Sequence, residues 1–574
     1  MPGARGLTRP IVAGRRFVIH GLSRLTVRVA RLLAEELAEV VVVAAEDARR
    51  LATVLGDTAH VVWSSGDLEA DLTEAGVTQA QAFLVLGDDD LENLQAAVVG
   101  NALAPATSVV LRIFNPVLAE QFDVGLNVRR AYSVSALAAP VFVAAALGED
   151  VVQTLHLGDD EVALCRVTVN PGSPLAGNTT DELERDFHLA LLARAGREGA
   201  WEPAIGGERV AAGDQLMVGG PMMEVLRLAV RDQTLLGARR PGARRPGRSR
   251  RRPVEEPRRK APTLLPVMAG VLVVFMLVSV AIFAAARGLS PIDALYFTVT
   301  TSFGEYTLGN AHPALKVLGV ITILVGGGLI GVLFSHLASI ATAERLEQRA
   351  GRRAQRYTGH VVVAGLGTVG YRVLSLLCDL GIPAVAVERA PDNRFRDAIG
   401  ERAPVLSGDV RLPESLGRAG VAEAACLLAC TDDDLANVLA CLRARRENPK
   451  IRTVARIFDE ALAARVRTAF GIDVALSTTA ISADAFAAAA TDERAPLPFD
   501  AGTIRHLVLR QDFDQPVGPD GVRRWEAEGL HLLAFRRGPG AVEPPSELDG
   551  PLRPGDSAVL AGPEPVARRL LLGD

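Results

Sequence analysis

The sequence predicts an α/β protein built twice over. Two Rossmann-like domains with parallel sheets, each followed by a small α+β lobe, flank a module of two transmembrane helices. Three observations lead there. The 574-residue chain repeats itself at an almost constant offset. Each copy alternates short β-rich runs with helical stretches, the pattern of βαβ units. Two long runs without a charged residue lie between the copies, each exceeding the roughly 20 residues that cross a hydrocarbon core.

The repeat is read by subtraction. Gly21 pairs with Gly365, the run from Asp88 with that from Asp432, Arg112-Ile113-Phe114 with Arg456-Ile457-Phe458, and Ser133 with Ser477, every time 344 residues apart. Only Gly66-Asp67 and Gly408-Asp409 stand 342 apart, which places a two-residue difference in a nearby loop. The boundaries expected are 12–150 and 358–497 for the Rossmann domains and 151–235 and 498–574 for the lobes, the last being divergent. Residues 236–262 and 344–357 are linkers, and 263–343 is the membrane module with a loop at 288–312.

Composition sets the outer limits. Hydrophobic residues make 49% of the chain and charged ones 22%, too apolar for disorder, and the length calls for several folded units. A formal net charge of −5 excludes a protein that coats nucleic acid, which needs a dominant basic field. The five cysteines have neither CxxC nor zinc-finger spacing, so no disulfide framework or metal site is expected.

In the second copy, Gly365-Leu366-Gly367-Thr368-Val369-Gly370 follows a strand-like run and opens a helix, with Glu388 at the end of the next run. In that context the first glycine makes the turn, the second lets backbone approach a pyrophosphate, the third lets helix meet strand, and the acid binds ribose hydroxyls. Thr368, Val369, Arg389 and Asp409 complete the candidate set. A glycine-rich turn that binds nothing is the alternative. The first copy reads Gly21-Leu22-Ser23-Arg24-Leu25-Thr26, with Ala44 in place of Glu388 and Glu46 two residues later. Ser23 adds a side chain where backbone should meet phosphate and Thr26 loosens the helix–strand approach, which predicts a degenerate site that binds poorly or not at all. The acidic runs Asp88–Asp90 and Asp432–Asp434 are read as helix caps in preference to a divalent-cation site.

The uncharged runs are Thr263–Ala286 and Val317–Ala343. Ten Arg, one Lys and two Glu occupy 237–262 before the first, and five Arg occupy 344–356 after the second. The intervening loop carries only Arg287, Asp293, Glu305 and Lys316. Both flanks are therefore expected inside and the loop outside, with both soluble regions cytoplasmic. The N-terminal residues lack the apolar stretch of a signal peptide. Gly326, Gly327, Gly328 and Gly331 read equally as a hinge or as close helix packing. His336 reads as a packed side chain.

Between the runs, IDALYFTVTTSFGEYTLGN is a helix-capable segment ending in Thr and Gly. From Asp293 to Gly304 it resembles the pore helix and filter of the two-span potassium-channel family. Thr300-Thr301-Ser302-Phe303-Gly304-Glu305 matches the family's TTVGYGD with its first filter glycine missing. The flanking copies resemble RCK (regulator of potassium conductance, TrkA-N/TrkA-C) domains in their glycine turn, GD, DD-x-x-N and R-I-F motifs. The resemblance implies a homotetramer around one pore in the plasma membrane lipid, with K⁺ or another monovalent cation permeant and NAD(H) or another adenine nucleotide as a ligand. A shortened filter implies the loss of at least one carbonyl ring. Glu305 would form a carboxylate ring at the mouth, or be an ordinary loop acid. Non-conducting regulation of a separate transporter is the rival reading. A dehydrogenase is disfavoured, because no acid/base set accompanies the turn.

Overall fold

The computed structural model describes residues 15–35, 38–114, 128–157, 160–196, 199–204, 206–232, 264–302, 313–328, 330–332, 334–335, 357–491, 496–538 and 540–572. These fall into two units. One holds both soluble copies; the other is the segment Gly242–Arg352.

The first Rossmann domain runs β1 (Arg16–His20), α1 (Arg24–Glu35), β2 (Glu39–Ala44), α2 (Arg49–Leu55), β3 (His60–Trp63), α3 (Leu68–Glu74), β4 (Ala82–Val85), α4 (Asp90–Leu103), β5 (Ser108–Arg112), β6 (Val128–Tyr132) and α5 (Val134–Leu147). Its lobe adds β7 (Asp150–Leu157), β8 (Asp160–Thr168), α6 (Thr180–Phe187), β9 (Ala190–Ala195), β10 (Trp201–Pro203), β11 (Gln215–Pro221) and α7 (Met222–Asp232). The segment between the copies contributes α8 (Leu264–Arg287), α9 (Pro291–Ser302) and α10 (Pro313–Ile321).

The second Rossmann domain follows with β12 (Val361–Ala364), α11 (Thr368–Asp379), β13 (Ala384–Glu388), α12 (Arg394–Ile399), β14 (Val405–Ser407), α13 (Pro413–Arg418), β15 (Cys426–Ala429), α14 (Asp434–Glu447), β16 (Arg452–Arg456), α15 (Glu460–Phe470), β17 (Val474–Leu476) and α16 (Thr478–Ala490). The last lobe is β18 (Leu497–Ala501), β19 (Ile504–Asp512), α17 (Pro519–Ala527), β20 (His531–Arg536), β21 (Val542–Glu543), β22 (Ser557–Pro563) and α18 (Glu564–Leu572).

Both large sheets are parallel and doubly wound, in the orders β3-β2-β1-β4-β5-β6 and β14-β13-β12-β15-β16-β17. Val-rich central strands are buried on both faces, which explains their unbroken apolar runs. In each sheet the order reverses beside the first strand, which puts the glycine turn at the switch point where α/β sheets hold ligands.

The last lobe keeps the topology of the first although its sequence diverges. The sheet orders are β10-β9-β11-β8-β7 and, traced from the other edge, β21-β20-β22-β19-β18. β8 and β19 begin 344 residues apart, at Asp160 and Ile504. Residue identities diverged while the inward-facing apolar alternation persisted, and alternation is what a half-buried strand needs.

The crossover helices are exchanged between copies. α5 packs on α11 and α16 on α1. In one core, Ala138, Val141 and Phe142 of α5 meet Val369, Val373 and Leu374 of α11. In the reciprocal core, Ala483, Phe486 and Ala489 of α16 join Phe17, Ile19 and Leu25 of the first copy. Phe486 is wholly buried and sits edge-on to Tyr132, ring centroids 5.4 Å apart. The lobes also meet across their sheets, where Leu155, Leu157 and Leu164 pack with Phe499, Leu533 and Val559. α5 is as apolar as a membrane helix, yet almost all of it is buried in this core.

In the segment between the copies, α8 is the one helix among the described residues long and apolar enough to cross a bilayer. The second apolar run begins as α10 and passes into a π-helical stretch, Thr322–Gly327. Its remainder from 336 onward, including His336, lies outside the described residues, as do both linkers apart from Tyr357.

Because the two copies share their cores, truncating one exchanged side chain should weaken both. Phe486→Ala should cost about 3–5 kcal/mol, read as a lowered denaturation midpoint of the purified chain.

Candidate nucleotide site and pore segment

In the second copy, β12 ends in a turn that glycine alone can make. Gly365 takes φ +98°, and an added Cβ would lie 3.0 Å from the Thr431 backbone. At Gly370 the Cβ would come within 2.1 Å of the Gly365 carbonyl oxygen, so the first turn of α11 lies against the strand end. Gly367 differs: among the described residues nothing lies within 4 Å of its Cβ position, and no side chain caps the amides that follow it. An open, uncapped helix N-terminus is a place for phosphate oxygens. The Val369 side chain is buried in the core, so that residue can offer only backbone.

Glu388 ends β13 and reaches back to the turn. Its Oε2 accepts the Leu366 N–H at 2.8 Å and its Oε1 the Ala390 N–H at 2.8 Å. Asn393 donates its Nδ2 to the Leu366 carbonyl at 3.1 Å. The Leu366 peptide is thus held from both sides. Sequence reasoning missed Asn393; the signal was its place as the cap of α12, where its Oδ1 accepts the Phe395 N–H.

Asp409 does not join the turn. It binds Arg411, accepting from its backbone N–H, Nε and Nη2, the last at 2.7 Å. These Arg411 contacts, with a smaller contribution from Arg389, hold the carboxyl below the usual carboxylate range. Arg389 itself is exposed beside Glu388.

The acidic runs are structural in both copies. Asp433 caps α14, Asp434 accepts the Phe458 N–H, and buried Asn437 bonds Thr431 and the Arg456 carbonyl. Asp89, Asp90 and Asn93 repeat these roles on α4, Phe114 and the Arg112 carbonyl. At the end of β16 the guanidinium groups of Arg456 and, from the first copy, Arg24 both lie over the Phe458 ring, at 4.5 and 4.9 Å.

The first copy's turn is filled by its own side chains. Ser23 Oγ accepts the Thr26 N–H and donates to the Leu86 carbonyl; Thr26 Oγ1 accepts the Ser23 N–H and donates to the Gly21 carbonyl at 2.6 Å. Threonine was expected to loosen the approach of helix to strand. Instead its hydroxyl bridges it. Glu46 is paired with Arg49, whose guanidinium covers Trp63. By strand register Trp63 stands where Ser407 stands in the second copy. The two extra residues are Ser64 and Ser65, both bonded to Asp71. Burial pushes the Asp71 carboxyl up, but the Ser65 and Ser64 hydroxyls and the Ser65 amide outweigh it and hold it low.

Between the copies, Thr300, Thr301 and Ser302 were read by resemblance as the start of the filter. They form the last turn of α9 instead, their hydroxyls donating to the carbonyls of Tyr296, Phe297 and Thr298 of the same helix. Phe303, Gly304 and Glu305 lie outside the described residues. Cβ atoms at Gly326 and Gly327 would come within 2.9 and 3.0 Å of Ser302, so these glycines serve close packing; at Gly328 and Gly331 no described residue lies within 4 Å of the Cβ position. Ile292, Leu295, Tyr296 and Val299 form an exposed apolar stripe along α9.

The TrkA-N domain family matches residues 17–133 and 361–478. The Trk system potassium uptake protein TrkA of Mycobacterium tuberculosis is 32% identical over 218 residues, spanning 37% of this chain and 98% of that protein. Potassium channel protein 1 of Methanocaldococcus jannaschii is 23% identical over 303 residues, 48% of this chain and 87% of that one. Among solved structures, the GsuK RCK domain aligns with 98% of this chain and 96% of its own, at 14% identity and a TM-score of 0.49.

The two glycines should answer alanine differently. Gly370→Ala should lower the melting temperature by several degrees, since the Cβ clashes with backbone. Gly367→Ala should leave it within about 0.5 kcal/mol of wild type, having free space and an unstrained φ.

Proposed function

The chain belongs to the potassium-transport family built on the TrkA-N (RCK) domain, and from that premise we propose that it is a cation channel of the plasma membrane, potassium being its natural ion, gated by an adenine nucleotide. The observation that carries this reading is the asymmetry of the two glycine turns. One is open, uncapped and flanked by Glu388; the other is closed by its own hydroxyls.

Gly367 and the α11 amides would hold a pyrophosphate, and Glu388 would exchange backbone amides for a ribose diol. NAD(H) fits this chemistry, as does any adenine nucleotide with a free ribose. In this reading the bound group acts as an effector and not as a substrate, since among the described residues at the turn Glu388 and Asn437 are engaged by backbone and Asp409 by Arg411. Ligand contact at the start of α11 reaches the core shared with α5, and through it the first copy and its lobe.

In the membrane, α8 would be one span and the run 317–343 the second. The apolar stripe on α9 supports assembly of several copies, four by family resemblance, since a pore helix needs neighbours on that face. The arginine-rich flanks support a cytoplasmic position for both soluble copies.

A second reading is a non-conducting nucleotide sensor that regulates a separate potassium transporter. It is favoured by the helical state of Thr300–Ser302 and by similarity to a TrkA protein over almost all of that protein's length.

Reconstituted liposomes should pass K⁺, with a flux that changes on adding NAD⁺ or NADH. Absence of K⁺ and Na⁺ flux under every nucleotide would remove the channel reading. NAD⁺ or ADP should raise the melting temperature of the wild type but not of Glu388→Gln, a variant that keeps the size of the side chain while losing its charge.

A further inference from the structure

Glu149 lies away from the nucleotide turn, where α5 hands over to β7. Gly148 ends α5 in the left-handed conformation at φ +96°, with its N–H on the Ala145 carbonyl and the Glu149 N–H on that of Ala144. The Glu149 side chain is 5% exposed, and its Oε2 meets no partner. An unpartnered buried carboxylate oxygen is rare enough to require a cause.

The groups around it come from several elements. Asp232, the last residue of α7, is wholly buried and takes the Asn170 Nδ2 at 2.7 Å. Cys165 is buried on β8, Asp150 opens β7, and the Thr168 backbone N–H serves the Glu149 carboxylate. The cation is Arg452, which comes from the other copy at the start of β16. Its Nε donates to the Ala145 carbonyl at 2.6 Å, so it also closes the end of α5. Glu149 is therefore buried beside a second carboxyl group, Asp232, and near a guanidinium that is already held by a carbonyl.

We infer that Glu149 is a proton-operated latch between the two copies. With Glu149 protonated, Arg452 stays on the Ala145 carbonyl and the α5 terminus is closed. Once ionised, Glu149 draws Arg452 to itself, and the α5 terminus loses its cross-copy bond. Burial, reinforced by Asp232, pushes the carboxyl up to about 8, against a weaker opposing pull from Arg452. The folded value exceeds the unfolded one, so this site's stabilisation is complete below about pH 4.5 and is lost as pH rises towards 8. The latch does not depend on any nucleotide.

The test compares thermal melting of the full chain in detergent, as wild type and Glu149→Gln, between about pH 5 and pH 9. The wild type should lose more melting temperature over that range than the variant, and the variant should be the more stable above about pH 8. Hydrogen exchange at amides 147–149 of the wild type, corrected for its intrinsic pH dependence, should accelerate about tenfold or more across the same range. Parallel melting curves would overturn the inference. So would a shift reproduced at constant pH by Na⁺, K⁺ or Ca²⁺, which would make this a cation site. If Glu149→Gln fails to fold, exchange in the wild type decides, and unchanged protection counts against the latch.

Discussion

Burial of α5 against α11, and of α16 against α1, is the contact on which the soluble unit depends. Each Rossmann sheet would otherwise leave an apolar helix face open to water, and each crossover helix is too apolar to stand alone. Fusing the copies in one chain makes the exchange intramolecular, so its ordering cost does not rise with dilution. The same exchange lays the first helix of one copy against the last helix of the other, so that a change at one glycine turn is felt in a core both copies share.

Within that shared frame the turns have diverged by very small means. A helix N-terminus holds amides that need a partner, and either a side chain or a ligand can supply it. In the first copy Ser23 and Thr26 supply it from within, and Trp63 with Arg49 takes the neighbouring strand end. In the second copy glycine withholds it. The repeated DDD-x-x-N motif, by contrast, is unchanged in role, because tying two strands to a helix is needed whether or not anything binds.

How much was legible beforehand follows from range. The offset of 344 residues, the parallel sheets, the glycine turn and the closeness of Glu388 to it are local or periodic features, and the sequence carries them openly. That Asp409 pairs with Arg411 could not be read beforehand, because that partner is a matter of rotamer and not of spacing. Thr300–Ser302 were read as filter by resemblance, yet their hydroxyls bond back to the preceding turn as they would in any helix end. The last lobe looked divergent because strands conserve alternation and not identity.

The sequence by itself determined that this chain is a duplication around an apolar segment, with one competent-looking turn and one altered one. Glycine and Pro positions, charge-free length and strand alternation are sufficient for that, since each acts within a few residues. Only the tertiary structure decided which copy each crossover helix would bury against, that Thr26 closes its turn where it was expected to loosen it, and that Glu149 faces Arg452 from the other copy. The first and last of these depend on residues brought together across some 300 positions of chain, and the Thr26 outcome on a hydroxyl rotamer within its own turn; packing and desolvation, invisible in any window of sequence, set the energies.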